Sequence, residues 1–116
     1  MVKYLTNAFS LNMVSPPSTI VLDIDELNQT EFCNELKYDE VKNAIGHKST
    51  VELINSLCNT NFDANRIQIQ LINGDILLIP QISIRLEEGK TLNINEIKDL
   101  LNKGLIKFLK VKVYYV

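Results

Sequence analysis

Alternation of apolar and polar residues divides much of the chain into short segments that are expected to be extended. Residues 66–71 alternate strictly, which predicts a strand with one buried face. Asn73 and Gly74 are a hairpin turn signal, and Pro80 in the returning strand indicates an edge position or a bulge. The alternation of the last segment shifts at Phe108, which again indicates a bulge. Strands are predicted at residues 2–5, 19–24, 66–71, 75–84 and 106–116.

Three segments carry the sequence pattern that starts helices. In each, a short polar residue that can cap the first free amide groups is followed three residues later by a glutamate that can reach back to it. These starts lie at Asn28, Ser49 and Asn93, and the third helix is expected to end at Gly104. Residues 39–44 are a candidate for one more short helical piece.

Length and composition agree with one domain. A chain of 116 residues with 46% hydrophobic residues is the size of a domain with one buried core. The order of the elements predicts a single α+β domain over residues 1–116, a mixed β-sheet of about five strands with about three helices packed on it. The longest apolar stretch, residues 76–79, is too short to span a bilayer, and no secretion signal is recognisable. We therefore expect a soluble intracellular protein without membrane contact.

The charge balance limits the function classes. A formal net charge of −2 and a pI near 5.3 argue against a protein that grips long nucleic acid over a wholly basic surface. Most basic residues are lysines, whereas Arg66 and Arg85 are candidates for two-pronged contacts with a phosphate or a carboxylate. A surface arginine with a partner across a strand is an equally good interpretation of either one.

Cys33 and Cys58 are expected to be buried free thiols, because two cysteines in an intracellular chain usually stay reduced. Their spacing fits no metal-binding pattern, and one histidine without paired Cys or His ligands does not make a zinc site. We therefore expect no metal and no cofactor.

Gly46 and His47, just ahead of the predicted helix at Ser49, are the sharpest local feature. Gly46 can adopt backbone angles that other residues avoid, so His47 is expected on a tight turn at a helix N-terminus. Such an end carries partial positive charge and unpaired amide groups, which makes it a natural phosphate site. A histidine there can donate a proton to a leaving oxygen of the same phosphate. On spacing alone, a loop histidine without a role is the more frequent case.

A second candidate site is the run that begins at Gln81. Strand alternation places Gln81, Ser83 and Arg85 on one face, and Ile82 and Ile84 on the other. Polar residues at the end of a strand, followed by an acidic loop with a glycine, are typical of a binding rim and a mobile flap. The alternative is a solvated sheet face with an ordinary surface loop.

Five blocks of sequence, in matching order and spacing, carry a resemblance to a known family. They are LTNAFSLNM at residues 5–13, IGHKST at 45–50, LINSLC at 53–58, NRI at 65–67 and QISIRLEEGK at 81–90. On these blocks the chain resembles a family of small archaeal-virus and phage proteins, the type III CRISPR ring nucleases. Lys48 stands where an acidic residue is common in that family, and Ile84 where glutamine is common.

The resemblance implies an anti-CRISPR enzyme that acts in the cytoplasm of the infected host cell. Hosts with type III CRISPR systems make cyclic tetra-adenylate as an alarm, and members of the family destroy this ring. His47, Arg85 and Glu88 match the family's catalytic residues. The N-terminal loop matches a ligand-contacting segment, and residues 82–94 match a lid over the ligand. The expected ligand contacts, including those of the strand face, are Asn7, Ser10, Arg66, Gln81 and Ser83.

The implied reaction needs no metal, because an RNA linkage carries its own nucleophile, the ribose 2′-hydroxyl. His47 would protonate the leaving 5′-oxygen, Arg85 would neutralise phosphate charge, and Glu88 would orient a partner group or a base edge. Two cuts would turn the ring into linear di-adenylates. No dedicated general base is recognisable in the sequence.

A homodimer is expected, because a ring of four identical nucleotides looks the same after a half turn, as does a twofold dimer. The rival interpretation is a non-catalytic viral dimer that binds double-stranded DNA, such as a regulator. There, both arginines and Lys107, Lys110 and Lys112 would contact phosphates. A scaffold or virion component is the third interpretation.

Overall fold

One five-stranded sheet organises the computed structural model, which describes residues 1–87 and 91–116. The strands are β1 (Lys3–Leu5), β2 (Ile20–Leu27), β3 (Val41–Asn43), β4 (Ile76–Ile82) and β5 (Ile106–Tyr115). The helices are α1 (Gln29–Tyr38), α2 (Lys48–Cys58) and α3 (Ile94–Asn102), and a 3₁₀ turn covers Leu11–Met13. The strand order is β2-β5-β4-β1-β3, with β1 parallel to both its neighbours and β5 antiparallel to both of its own. The predicted α+β class, with a mixed sheet and three helices, is confirmed.

Two of the helices begin at capping boxes, as the sequence predicts. Asn28 Oδ1 accepts a hydrogen bond from the Glu31 N–H (2.8 Å), and the Glu31 carboxylate accepts one from the Asn28 N–H (3.0 Å). Asn93 and Glu96 repeat this exchange at α3, which is terminated at Gly104, where φ is 70°. No helix within residues 1–87 and 91–116 is long and apolar enough to cross a membrane.

Apolar side chains are buried on both faces of the sheet. On the face covered by the helices, the rings of Phe32 and Phe108 pack with centroids 4.8 Å apart. On the other face, Val111 and Val113 pack against the 3₁₀ turn and against residues 69–71. The apolar pattern of β5 therefore changes face along the strand, although its register with β2 and β4 is unbroken. The bulge predicted at Phe108 is wrong, because the shift reflects two covering layers and no inserted residue.

Residues 66–71 are not a strand. Their alternation predicted burial correctly at two of three apolar positions, since Ile69 and Leu71 are 3% and 2% exposed but Ile67 is 40% exposed. The backbone, however, lies over the sheet face without joining an edge, and the Leu71 N–H donates to the carbonyl of Met13 at 2.8 Å. The turn at Asn73 and Gly74 forms, but it leads from this covering segment into β4, so the predicted hairpin is wrong.

The helical piece predicted at residues 39–44 is also wrong, because this stretch contains β3. Val41 pairs in parallel with Lys3 of β1. The Asn43 side chain then fixes the exit of the strand, since it accepts from the Ile45 N–H (3.0 Å) and donates to the Asp63 carbonyl (2.7 Å). Pairing with β1 and these amide hydrogen bonds are long-range interactions that outweigh a weak local preference.

Cys33 and Cys58 form a disulfide that joins α1 to α2, so the prediction of two free thiols is wrong. The helices pack against each other and bring the two Cα atoms to 5.0 Å, within the range that a bridge can span. Closing a loop between residues 25 positions apart stabilises the fold by about 3.5 kcal/mol, because the bridge lowers the conformational entropy of the unfolded chain. Sequence spacing gave no signal of this proximity.

A charged cluster ties α1 to two strands of the sheet. The Glu35 carboxylate accepts hydrogen bonds from Lys3 Nζ of β1 and Lys110 Nζ of β5, each at 2.6 Å, and Lys3 also pairs with Asp39. Partial burial works against ionisation of Glu35, but the hydrogen bonds and charges of Lys110 and Lys3 outweigh it. The pKa of the Glu35 carboxyl is therefore held below its ordinary value.

Glu35→Gln is expected to lower the free energy of unfolding by about 1–3 kcal/mol at neutral pH, because it removes two charge-assisted hydrogen bonds. Since the folded pKa lies below the unfolded one, the contribution of Glu35 is present above pH about 4 and is lost as the pH falls through the folded value. Urea unfolding from neutral to acidic pH should show a flatter acid limb for the variant. The control is Glu40→Gln at an exposed position, which should follow the wild type. Parallel curves for Glu35→Gln and wild type would contradict the assignment.

Candidate functional site

The candidate site lies beyond the carboxyl ends of the three parallel strands. The chain leaves β1 towards Asn7, β3 towards His47 and β4 towards Arg85, so each strand delivers one polar residue to the same edge of the sheet. The carboxyl edge of parallel strands is the usual ligand position in open sheets, because the chain turns away from it in different directions and leaves a crevice.

A cleft of about 860 Å³ occupies this edge. Its lining includes the polar or charged residues Asn7, His47, Thr50, Arg85 and Glu87. It also includes a group of apolar residues, here called the apolar wall: Pro80, Ile82, Ile84 and Leu86. A few polar groups among apolar side chains are typical of small-molecule sites, which commonly measure about 300–1,000 Å³.

Pro80 lies at the point where β4 loses its neighbour β1 and the cleft opens. The register of β4 with β5 is unbroken, so β4 contains no bulge and lies inside the sheet. β1, however, ends at Leu5, opposite Leu78, and its last contact is the Thr6 N–H donating to the Leu78 carbonyl. The nitrogen of Pro80 faces the same side, where no strand continues, so no ladder hydrogen bond is lost. The predicted edge position is thus correct for this one side of β4.

His47 is the N-cap of α2. Its Nδ1 accepts a hydrogen bond from the Thr50 N–H (3.3 Å) and lies 3.2 Å from Thr50 Oγ1. A ring nitrogen that accepts from an amide carries no proton, so the neutral ring holds its proton on Nε2. The imidazole therefore brings an N–H donor to the N-terminus of a helix, where an anion is also favoured by the helix dipole.

Ser49 and Glu52, the pair predicted to cap α2, hold the polypeptide after β4. Ser49 Oγ donates to the Glu87 carbonyl, and Thr91 Oγ1 donates to the Glu52 carboxylate, both at 2.6 Å. The predicted capping box is therefore wrong, because the helix begins two residues earlier, with His47 as its N-cap, and these side chains have other partners. Glu88, predicted to be catalytic, lies between the two anchors in sequence but outside the residues that the structure describes.

Gly46 leaves room for the Arg66 side chain, which packs against it. Its φ lies outside the left-handed region, so the expectation of unusual backbone angles is wrong. A Cβ atom here would lie 2.8 Å from Arg66 Nε and 3.0 Å from Arg66 Cβ. Arg66 thus packs directly over Gly46. It lines a second depression, separate from the cleft, together with Asn12.

The other predicted ligand residues lie elsewhere. Gln81 and Ser83 do not line the cleft, because Pro80 and Ile82 are the β4 residues that face it and the strand ends before Ser83. Ser10 is exposed, precedes the 3₁₀ turn and is not one of the residues that line the cleft.

Thr50 and the apolar wall were not found from the sequence. Thr50 follows His47 by three residues, the spacing that joins an N-cap to the third helical residue, and this signal was available. The apolar wall could not be predicted, because an apolar strand residue that lines a cleft cannot be distinguished in sequence from one in the core. Among residues 1–87 and 91–116, no group of three or more His, Cys, Asp or Glu is arranged to hold a metal ion.

Lys107, Lys110 and Lys112 do not form one basic surface. Strand alternation places Lys107 on the opposite face of β5 from the other two. Lys110 is already paired with α1, and β2 places Asp25 opposite Lys110 and Asp23 opposite Lys112. Neighbouring carboxylates therefore offset the cationic charge on which the DNA-binding interpretation depends.

Known proteins of archaeal viruses are similar to the chain over nearly its whole length. A family model described as STIV B116-like matches residues 3–109. The chain is 42% identical over 115 residues to the Uncharacterized protein ORF116 of Acidianus filamentous virus 1, covering 99% of this chain and 94% of that protein. It is 32% identical over 93 residues to the Uncharacterized protein 26 of Sulfolobus islandicus filamentous virus, covering 80% and 78%. Among solved structures, B116 of Sulfolobus turreted icosahedral virus has a TM-score of 0.84 and 45% identity, covering 96% of this chain and 98% of that one.

Gly46→Ala is expected to lower the free energy of unfolding by about 1–3 kcal/mol, because the new methyl group overlaps Arg66. The penalty should shrink in an Arg66→Ala background, where the 2.8 Å contact with Nε is absent. Urea unfolding of the two single variants, the double variant and the wild type gives the coupling energy. Gly104→Ala is the control, since its cost arises from a φ of +70° and should be equal in both backgrounds. An equal Gly46→Ala cost in both backgrounds would exclude the contact as its cause.

Proposed function

The chain belongs to the STIV B116-like family of small archaeal-virus proteins, and we propose that it is a metal-independent nuclease that cleaves cyclic tetra-adenylate. The observation that supports this function best is the cleft, where His47 at the N-terminus of α2 faces the same space as Asn7 and Arg85. By removing the alarm molecule of type III CRISPR immunity, the enzyme would act against host defence in the cytoplasm of the infected cell.

The proposed reaction is an internal displacement at phosphorus. The ribose 2′-oxygen attacks phosphorus and its proton passes to water. The bond to the 5′-oxygen breaks, and His47 gives the leaving oxygen a proton, so a 2′,3′-cyclic phosphate and a 5′-hydroxyl form. Proton donation of this kind contributes roughly 10²–10⁴-fold to the rate. Arg85 stabilises the added charge on the phosphate oxygens, and Glu88 orients a partner group or a base edge.

The polar and the apolar residues that line the cleft suit the two parts of a nucleotide. Phosphate oxygens match the N–H donors of the helix end and the guanidinium of Arg85. Adenine bases match the apolar wall with Pro80, Ile82 and Ile84, which can cover a flat ring without competing for its polar edge. This division supports a nucleotide ligand over an apolar metabolite.

The proposal includes a twofold dimer with one ring bound across the interface. One chain has a single histidine and two arginines, which are few donors for a ligand with four phosphates. A cleft of about 860 Å³ suits only part of a ring of four nucleotides. Two copies of the site related by a half turn would meet the two equal halves of the ring and cut it twice.

His47→Ala is expected to lower the rate of ring cleavage by about 10²–10⁴-fold while the dissociation constant for the ring stays within a few fold, because the proton donor is lost and the phosphate contacts remain. Arg85→Ala should weaken binding as well as the rate, since its contact is made in both ground and transition states. The assay measures products by chromatography in excess chelator and binding by titration calorimetry.

A ring methylated at all four 2′-hydroxyls is the matched substrate control. It should bind and remain intact, because the nucleophile is blocked. Its cleavage, or wild-type turnover by His47→Ala, would exclude the proposed chemistry. Loss of activity in chelator with recovery in Mg²⁺ would show a different reaction class.

The dimer is tested by mass and stoichiometry. Light scattering should give about twice the 13.2 kDa of one chain, and calorimetry should saturate at one ring for two chains. A monomer that binds one ring per chain at full activity would contradict this part of the proposal.

A further inference from the structure

We propose that Thr50 is a positioning residue for His47, and that its hydroxyl holds the imidazole ring in the orientation from which Nε2 gives its proton away. The inference rests on the proposed function, because it concerns how His47 acts as an acid. It assigns a role to a residue that was not predicted from the sequence and that lines the cleft beside His47.

Two groups of Thr50 face Nδ1 of His47. The backbone N–H lies at 3.3 Å and the hydroxyl Oγ1 at 3.2 Å. An amide N–H can only donate, so it suits a ring whose Nδ1 is unprotonated. A hydroxyl can donate or accept, so it suits Nδ1 with or without a proton.

The proton balance of the reaction selects the hydroxyl. To release a proton from Nε2 and end as a neutral ring, His47 must begin with protons on both nitrogens. Nδ1 is then a donor and cannot bond to the Thr50 N–H, whereas Thr50 Oγ1 can accept from it. After transfer the 5′-oxygen carries the proton, the ring is neutral with its proton on Nδ1, and the bond to Oγ1 persists. The solvent, which received the proton of the 2′-hydroxyl, then returns a proton to Nε2.

The position of Thr50 makes this hydroxyl a fixed partner. Thr50 is 7% exposed and lies in the first turn of α2. Its neighbour Ser49 donates a hydrogen bond to the Glu87 carbonyl. A buried β-branched side chain in a helix has few rotamers, so little entropy is lost when it holds the ring. The imidazole is thus oriented before the ligand arrives.

Thr50→Val removes the hydroxyl and keeps the shape, while Thr50→Ser keeps the hydroxyl. Single-turnover cleavage of cyclic tetra-adenylate should slow by about 10- to 100-fold in Thr50→Val, by analogy with the loss seen when the hydrogen-bond partner that orients a metal-binding histidine is removed. Ring affinity should stay within about twofold, since the loss falls on the chemical step. Thr50→Ser should restore most of the rate. The control Thr60→Val removes a hydroxyl bond to Asn55 outside the cleft and should keep the wild-type rate.

A spectroscopic measurement is independent of activity. His47 is the one histidine of the chain, so the ¹⁵N signals of a histidine-labelled sample belong to this ring alone. Under acidic conditions, Thr50→Val should shift the Nδ1 signal and expose its proton to faster solvent exchange, and Thr50→Ser should not. Unchanged Nδ1 signals in Thr50→Val would overturn the inference even if that variant were inactive.

The outcomes separate this inference from the proposed function. If His47→Ala is inactive and Thr50→Val cleaves as fast as the wild type, the role of Thr50 is wrong and the nuclease proposal stands. If the wild type does not cleave the ring, the proposed function is wrong, and the ¹⁵N measurement still decides whether Thr50 holds the protonated ring.

Discussion

The early end of β1 beside β4 is the constraint on which the site depends. β1 has three residues and β4 has seven, so the last part of β4 has no neighbour on one side. Pro80 stands at this point and offers no N–H to a further strand, so the gap is not closed by backbone pairing. The chain leaving β1 and the N-terminus of α2 border the space that remains. The unequal lengths of β1 and β4 thus create the cleft, and the side chains that line it determine only its chemistry.

The first turns of α2 then combine tasks that are separate in many helices. His47 caps the helix with the same ring that faces the cleft, and Thr50 contacts that ring from the third helical position. Ser49 and Glu52 bond to the segment that follows β4. The first two turns of α2 therefore start the helix, place the candidate acid and hold the segment that follows β4. A substitution in this stretch changes stability and the site together.

Local rules predicted what local interactions decide. The capping boxes at Asn28 and Asn93 are formed by residues close in sequence, and both were correct. Burial at Ile69 was also correct, but whether an alternating segment joins the sheet depends on distant strands. The disulfide, β3 and the unbroken register of β5 depend likewise on contacts that no short window contains.

The same distinction applies to the site. His47 and Arg85 were indicated by local chemistry and by resemblance, and the structure places both on one cleft. Gln81 was assigned by extending strand alternation, but Pro80 and Ile82 are the positions that face the space. Thr50 was overlooked because the cap was assigned to Ser49, so the actual N-cap was missed by two residues.

The Cys33–Cys58 bridge has a mechanical consequence. His47 and Thr50 both lie between the two cysteines, inside a covalently closed part of the chain. Tension applied to the two ends of the polypeptide passes through the bridge and bypasses this loop. While the disulfide is intact, pulling can straighten residues outside the loop, but it cannot extend the segment that holds the candidate acid and its partner.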